Sequence, residues 1–143
     1  MEINKVNNLL ELFYNQYLTQ AKTSVFLQSL KEVEKKYSWE DVYSNVIKFS
    51  EEISKYIKKG DRCLLISENR PEWMISDLSI MLSGGITVPA YTTYTERDYE
   101  YIIDDCTPTV LIISDKTQYL KVKNIILKKK FIKKINIYIY IYI

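Results

Sequence analysis

A polar turn that follows an apolar run contains the residues best suited to contact a ligand. The run covers residues 63–66, and the turn after it contains Asn69, Arg70, Pro71, Glu72 and Trp73. Because open α/β sheets bind ligands beyond the carboxyl ends of their parallel strands, this turn could shape a substrate surface. In the structural alternative, Asn69 or Arg70 caps a helix that begins at Pro71. Trp73 then packs in the core, and this is the interpretation we prefer.

Three further segments have both a functional and a structural interpretation. The adjacent Gly84 and Gly85 could form a phosphate-binding turn, but without a third glycine at the proper spacing they favour a helix end and a tight turn. The hydroxyl-rich residues 92–95 could contact a ligand, and we interpret them as a connection that ends in a helix cap. Asp104 and Asp105 could bind a cation, and we interpret them as a solvated helix end.

The composition excludes several kinds of site. The 143 residues contain no histidine and two cysteines, Cys63 and Cys106, which removes the commonest general base and the Cys/His metal sites. We expect both cysteines to be reduced and buried. Hydrophobic residues make up 47% of the chain and charged residues 27%, which is typical of a folded globular domain and not of a disordered one.

The sequence also predicts where in the cell the protein resides. The first ten residues have no apolar core of the kind that a secretory signal requires. No apolar run approaches the roughly 20 residues that span a bilayer. We therefore expect a cytoplasmic location, with peripheral attachment to a membrane as an addition.

The chain opens with a helix and a hairpin. Apolar residues recur at helical spacing over residues 6–18, which predicts an amphipathic helix. Residues 25–30 are typical of a short strand, and Lys36 and Tyr37 are expected to belong to its hairpin partner.

From residue 38 to residue 124, the apolar pattern alternates between helices and buried strands. The strands are predicted at residues 62–67, 86–90 and 109–113. Alternation of this kind implies crossover units that build a parallel sheet with helices on its faces. The sequence therefore predicts an α/β fold that forms part of a doubly wound parallel sheet.

Local signals mark where two of these helices begin and where one ends. Ser38 with Asp41, and Thr95 with Asp98, have the spacing of capping boxes. Gly60 is expected to end the helix that Ser38 opens.

The C-terminal part differs from the rest in charge and pattern. Residues 1–115 contain 12 basic and 18 acidic residues, a net charge of −6, whereas residues 116–143 contain eight lysines and no acid. Ile and Tyr alternate without a break over residues 137–143, a pattern that an alternating A/T DNA repeat encodes. We interpret residues 125–143 as a low-complexity tail of that origin, with a genuine edge strand as the alternative.

This tail has consequences for association. An Ile/Tyr strand without internal charge or proline is an aggregation hazard. Its lysines could adhere weakly to anionic surfaces, whereas specific nucleic-acid binding is not expected because the tyrosines form no base-stacking platform.

Two segments of the chain form a distinctive pair: residues 60–73 read GDRCLLISENRPEW, and residues 84–91 read GGITVPAY and include Pro89 and Tyr91. Taken in this order, they resemble the N-terminal region of long-chain fatty-acid–CoA ligases of the adenylate-forming, AMP-binding family. Weaker similarities lie at residues 37–42, 101–106 and 110–115.

The resemblance implies a larger two-domain enzyme. Such enzymes join a fatty acid to AMP with ATP and magnesium, and then transfer the acyl group to coenzyme A. Their phosphate loop, a Ser/Thr/Gly-rich run ending in Pro-Lys, has no counterpart here. We therefore predict no catalytic, cofactor-binding or metal-binding residue. The matching motif residues, which we interpret as structural, are Asn69, Arg70, Pro71, Glu72, Trp73, Gly84, Gly85, Pro89 and Tyr91.

The predicted function follows from this comparison. Residues 1–124 are expected to form an incomplete N-terminal AMP-binding-type domain that is inactive alone and has no cofactor or identifiable partner of its own. ATP, magnesium, CoA and the fatty acid belong to the full-length family. Two alternatives stay open: a stand-alone α/β module that binds a small ligand or a partner chain, and one part of a split enzyme.

Overall fold

Helices and strands alternate along the part of the chain that the computed structural model describes, residues 6–29 and 35–137. The helices are α1 (Leu9–Thr19), α2 (Trp39–Ser54), α3 (Pro71–Leu82), α4 (Glu96–Cys106) and α5 (Lys116–Ile126). The strands are β1 (Val25–Gln28), β2 (Lys36–Ser38), β3 (Arg62–Ile66), β4 (Ile86–Ala90), β5 (Val110–Ile113) and β6 (Lys134–Ile137). The predicted alternation from residue 38 to residue 124 is confirmed.

The strands β3 to β6 form a parallel sheet in the order β4-β3-β5-β6. Leu64 of β3, for example, lies beside Val88 of β4 on one side and Leu111 of β5 on the other. The chain runs from β3 outward to β4 and then crosses back over β3 to β5. This reversal of direction defines a doubly wound sheet and places its crevice at the carboxyl ends of β3 and β5. The predicted fold class is therefore confirmed.

Helices cover both faces of the sheet because its central strands are apolar on both faces. Cys63 and Leu65 of β3 pack toward α2 and α3, whereas Leu64 and Ile66 pack toward α4 and α5. Their partners include Phe49, Ile53 and Ile80 on the first face and Tyr99, Ile103 and Val122 on the second. Full burial of each aliphatic side chain contributes about 1.5–3 kcal/mol, so these two clusters hold the layers together.

A third apolar cluster attaches α1 and the antiparallel β1–β2 hairpin to α2 and α3. Its buried members are Phe13, Val42, Val46, Ile75 and Leu78. The rings of Phe26 and Trp39 stack beside it with centroids 3.8 Å apart. The predicted opening helix and hairpin are thus confirmed as part of the same packed unit.

Both predicted capping boxes are confirmed. In α2, the Asp41 amide donates to Ser38 Oγ and the Ser38 amide donates to the Asp41 carboxylate. Thr95 and Asp98 exchange the same bonds at the start of α4. The Ser38 and Thr95 hydroxyls, and after them their backbone amides, donate hydrogen bonds to these carboxylates, which lowers the pKa of Asp41 and of Asp98.

The expectation that Gly60 ends a helix is wrong. α2 already ends at Ser54, and Gly60 lies in the later turn that leads into β3. Its φ of +87° favours glycine, and its amide donates to the Gly84 carbonyl at 2.8 Å. The pattern was misleading because Tyr56 and Ile57 continue the apolar spacing of α2 after the helix has ended.

The two cysteines are free thiols in different surroundings. Cys63 is buried as expected, whereas Cys106 at the end of α4 is only half-buried. Burial, followed by the neighbouring Asp61 carboxylate, raises the pKa of the Cys63 thiol to about 12. Cys63 is therefore an unreactive core residue at neutral pH.

Part of the C-terminal segment belongs to the sheet. β6 pairs in parallel with β5, so Lys134–Ile137 has the edge-strand conformation that we gave as the alternative. The rest of the alternating run, residues 138–143, lies outside the described residues. The DNA-repeat origin of the tail and the domain boundary after residue 124 stay predictions, and α5 runs across that boundary.

Candidate functional site

Two adjoining cavities open where β3 and β4 end. Their volumes are about 340 and about 290 Å³, and Asn69 and Trp73 line both of them. The larger cavity is completed by Leu9, Arg70, Met74, Asp77 and Leu78, and the smaller by Ser67, Pro89, Ala90 and Tyr91. Together they form one groove on the two sides of Trp73, which we call the Trp73 groove.

The turn from β3 into α3 gives the groove its floor. Pro71 occupies the first turn of α3, where its missing amide hydrogen removes no helical hydrogen bond. Arg70 precedes it with an extended backbone, but its side chain makes no capping hydrogen bond. Arg70 is therefore the N-cap residue of α3, as the structural alternative expected, but it caps the helix without a side-chain hydrogen bond. Proline and the carboxylate of Glu72 favour the helix start instead.

Glu72 lies at the centre of a buried ionic cluster. Its carboxylate is 2.9 Å from Arg70 Nε and 2.5 Å from Lys35 Nζ, and it accepts a hydrogen bond of 2.9 Å from the Tyr37 hydroxyl. Burial opposes ionisation of this carboxyl, but the hydrogen bonds from Arg70 and Lys35 outweigh it and lower the pKa to about 2. The cluster fixes the turn beneath the groove to the β1–β2 hairpin.

The sequence alone did not indicate this cluster. Lys35 and Tyr37 lie on the hairpin, far from Glu72 along the chain. No local spacing rule links residues so far apart in sequence, and the burial of Glu72 is visible only in the structure.

Trp73 and Asn69 provide the walls that both cavities share. Trp73 is half-buried and packs against the edge of the cluster on the α2 and α3 face, so it does not lie inside the core as expected. Asn69 is exposed at the tip of the turn. Trp73 thus offers an aromatic surface, and Asn69 offers an amide group that can donate and accept hydrogen bonds.

Aromatic residues after β4 form the far side of the groove. Tyr91 is 72% exposed, and its ring meets Tyr94 edge to face with centroids 5.5 Å apart. Its backbone carbonyl accepts a hydrogen bond of 2.7 Å from the hydroxyl of Tyr99, which is fully buried. Burial, followed by Tyr94 and Asp98, raises the pKa of Tyr99 to about 12. Tyr99 therefore stays neutral and holds Tyr91 in place.

The crevice between β3 and β5 carries two serines that the sequence analysis did not single out. Ser67 and Ser114 are buried and come directly after these strands. The Ser67 hydroxyl donates to the Glu68 carbonyl, and the Ser114 amide donates to the Ile66 carbonyl at 2.8 Å. Their position as the first polar residue after a buried strand was the signal that could have found them.

The glycines do not lie where a phosphate would bind. Gly60 precedes β3, and Gly84 and Gly85 precede β4, at the amino ends of the strands and away from the groove. A Cβ at Gly85 would lie 2.9 Å from Ile57 Cδ1 and 3.0 Å from Ile80 Cγ2, so close packing explains this glycine. The described residues therefore provide no glycine-rich cradle for ATP.

The acidic and hydroxyl-rich segments are also accounted for. Thr95 caps α4, and the Thr92 carbonyl accepts a hydrogen bond from Lys121 Nζ at 2.6 Å. Asp104 pairs with Lys129, and Asp105 is exposed near the end of α4. Across residues 6–29 and 35–137, no three His, Cys, Asp or Glu side chains come together as metal ligands.

These residues can therefore bind a ligand, but they include few groups that could take part in making or breaking bonds. The Trp73 groove offers aromatic faces, an amide, and the charges of Arg70 and Asp77 at its border. Such a surface suits an apolar or planar group with a polar end. None of the helices in the described part of the chain is long and apolar enough to cross a membrane.

Many proteins that use nucleotides or cofactors are built on an open, doubly wound α/β sheet with a ligand-sized groove at its carboxyl edge. The family profile described as "AMP-binding enzyme" matches residues 16–141 of this chain. The chain belongs to this family, whose members include adenylate-forming acyl-CoA ligases.

Curated relatives support the same family. The long-chain-fatty-acid–CoA ligase of Bacillus subtilis is 30% identical over 82 residues, which are 57% of this chain and 15% of that protein. The long-chain-fatty-acid–CoA ligase FadD15 of Mycobacterium tuberculosis is 36% identical over 59 residues, which are 41% of this chain and 10% of that protein. The chain thus corresponds to a small part of the relatives it matches.

Solved structures show the same fold. The anthranilate CoA ligase AuaEII, crystallised with anthranoyl-AMP, superposes with a TM-score of 0.83 at 18% identity, covering 95% of this chain and 26% of that one. The coronafacic acid ligase of Pectobacterium brasiliense gives a TM-score of 0.80 at 19% identity, covering 91% and 25%. At these identities the likeness concerns the fold alone.

Proposed function

We propose that this chain is the N-terminal segment of a fatty-acid–CoA ligase and that it does not activate a fatty acid by itself. In the complete enzyme, ATP and magnesium would be used to form an acyl-adenylate, and coenzyme A would then accept the acyl group. The segment would contribute scaffold and the Trp73 groove, while residues outside it would contact the nucleotide.

The observation that carries the proposal is the separation of glycines from the groove. Acyl-adenylate formation needs groups that neutralise phosphate charge beside the carboxylate. Here the carboxyl edge presents Trp73, Asn69 and Tyr91, while the glycines lie at the opposite edge. Tyr91, 72% exposed, and Ile86, 52% exposed, also offer apolar surface against which more of an enzyme could pack.

The first test is an activity measurement on the purified chain. ATP–pyrophosphate exchange with a long-chain fatty acid is expected to stay at the level of the buffer. The Bacillus subtilis ligase serves as the positive control in the same assay. Exchange by the chain alone that requires the fatty acid would refute the proposal.

The second test separates a ligase segment from the alternatives. Sequencing the transcript across the codons for residues 123–143 and onward is expected to reveal a Ser/Thr/Gly-rich run ending in Pro-Lys. If that run is encoded in a separate transcript instead, the split-enzyme alternative holds. A monodisperse monomer that binds no hydrophobic dye would favour a stand-alone module.

A further inference from the structure

The outer face of α5 combines exposed leucines with lysines. Lys116, Leu120, Lys123 and Leu127 follow one another at intervals of three or four residues, so they form one stripe along the helix and its C-cap. All four are exposed, Leu120 by 56% and Leu127 by 74%. The buried side of the same helix is apolar in the usual way, through Val122, Ile125 and Ile126.

The turn after α5 adds further positive charge. Lys128, Lys130 and Lys133 are exposed there, and no acidic residue occurs from residue 116 to the end of the sequence. Three other lysines of this region are engaged with the protein: Lys121 with the Thr92 carbonyl, Lys129 with Asp104 and Lys134 with Glu52. The stripe and the turn together, residues 116–133, are called the α5 surface below.

Folding alone does not account for this surface. A lysine in the last turn of a helix complements the helix dipole, and that explains Lys123. The helix dipole does not explain the two exposed leucines that lie among these lysines, because exposing an apolar side chain to water is unfavourable. Leucines that project from a polybasic stripe are typical of helices that lie in the interface of an anionic bilayer.

The neighbouring helix limits how a membrane could approach. α4 carries five exposed acids, which an anionic surface would repel: Glu96, Asp98, Glu100, Asp104 and Asp105. Because α4 connects β4 to β5 and α5 connects β5 to β6, α5 lies toward the β6 edge of the sheet. A bilayer that approaches from that edge meets the α5 surface first, with α4 beside α5 on the same face and Asp104 of α4 paired with Lys129.

We propose that the α5 surface binds the face of an anionic lipid bilayer, with the lysines near the headgroups and Leu120 and Leu127 inserted between them. This proposal concerns a surface on the other face of the sheet from α3 and does not depend on the proposed ligase function. It assigns the peripheral membrane attachment expected from the sequence to particular residues.

The test is vesicle co-sedimentation of the full chain. Vesicles of equal parts phosphatidylcholine and phosphatidylserine are expected to bind the protein, and vesicles of phosphatidylcholine alone are not. Each lysine near such a surface contributes about a fivefold change in partitioning, so replacing Lys123, Lys128 and Lys130 with Gln is expected to weaken binding more than tenfold. Raising the salt from about 0.05 to about 0.5 M should have the same effect.

Two variant proteins test whether binding depends on these leucines in particular or on any exposed apolar side chain. The pair Leu120→Ser and Leu127→Ser is expected to weaken binding about tenfold or more without changing the circular dichroism spectrum. Tyr101→Ser, at a residue 72% exposed on α4, is the matched control and should bind like the unchanged chain.

Three outcomes would overturn the proposal. One is equal binding to both kinds of vesicle, which would point to the Ile/Tyr run instead. Another is unchanged binding of the folded leucine or lysine variants. The third is a preference for single-stranded RNA over phosphatidylserine vesicles at the same salt.

Discussion

The ionic cluster around Glu72 makes a quantitative prediction about stability. The Glu72 side chain is 8% exposed, and Lys35 and Arg70 beside it are 29% and 26% exposed. Lowering its pKa from 4.5 to about 2 corresponds to about 3 kcal/mol of stabilisation at neutral pH. Glu72→Gln keeps the shape but removes the charge, so we expect it to lower the free energy of unfolding by about 2–3 kcal/mol.

The pH dependence gives an independent check with a definite sign. A carboxyl whose pKa is lower in the folded state stabilises the fold above its unfolded pKa and loses that effect as pH falls through the folded value. For Glu72 the loss should occur between about pH 4.5 and about pH 2. In this range the free energy of unfolding of the unchanged chain should fall toward that of Glu72→Gln.

Urea unfolding followed by the fluorescence of Trp39 and Trp73 measures both effects. The matched control is Glu100→Gln on the exposed face of α4, which should change stability by less than about 0.5 kcal/mol. The reasoning about this cluster is wrong if Glu72→Gln lowers the free energy of unfolding no more than the control does. It is also wrong if the difference in free energy of unfolding between Glu72→Gln and the unchanged chain persists at about pH 2.

Three further substitutions follow from the packing, each measured by the same unfolding assay. Thr87→Val should raise the free energy of unfolding by about 1 kcal/mol, because the Thr87 hydroxyl is buried without a hydrogen-bond partner; a loss of stability would contradict this. Thr95→Ala removes a capping box and should lower it by about 1 kcal/mol, and Thr95→Ser should restore most of the loss. Gly85→Ala should lower it by about 1–3 kcal/mol through contact with Ile57 and Ile80, so a neutral result would show that these side chains yield freely.

The elements from residue 38 to residue 124 could be predicted because their local signals agree with one another. The two capping boxes, Pro71 and the continuous apolar strands each set a boundary through interactions within a few residues. The end of α2 could not be predicted for the opposite reason. Tyr56 and Ile57 are buried or half-buried by contacts with distant residues, and apolar spacing alone cannot distinguish that from a longer helix.

The candidate site could be located from the sequence only in part. The polar turn after β3 was identified, since the first polar residues after a buried strand must lie at the carboxyl edge of the sheet. What holds that turn in place depends on Lys35 and Tyr37, which reach it only through the packing of the hairpin against α2 and α3. Contacts of this range carry no periodic signal in one sequence.

The same distinction explains why the matching motif is a weak guide to chemistry. Within the segment 69–73, Pro71 and Glu72 are buried, and only Asn69, Arg70 and Trp73 reach the groove. Two of the five residues in this segment are therefore buried and help to hold the turn in place. Substituting Asn69 should leave stability nearly unchanged because its side chain is exposed, whereas substituting Glu72 should not. A residue of this motif that alters ligand binding without altering stability must therefore be sought among those that line the groove.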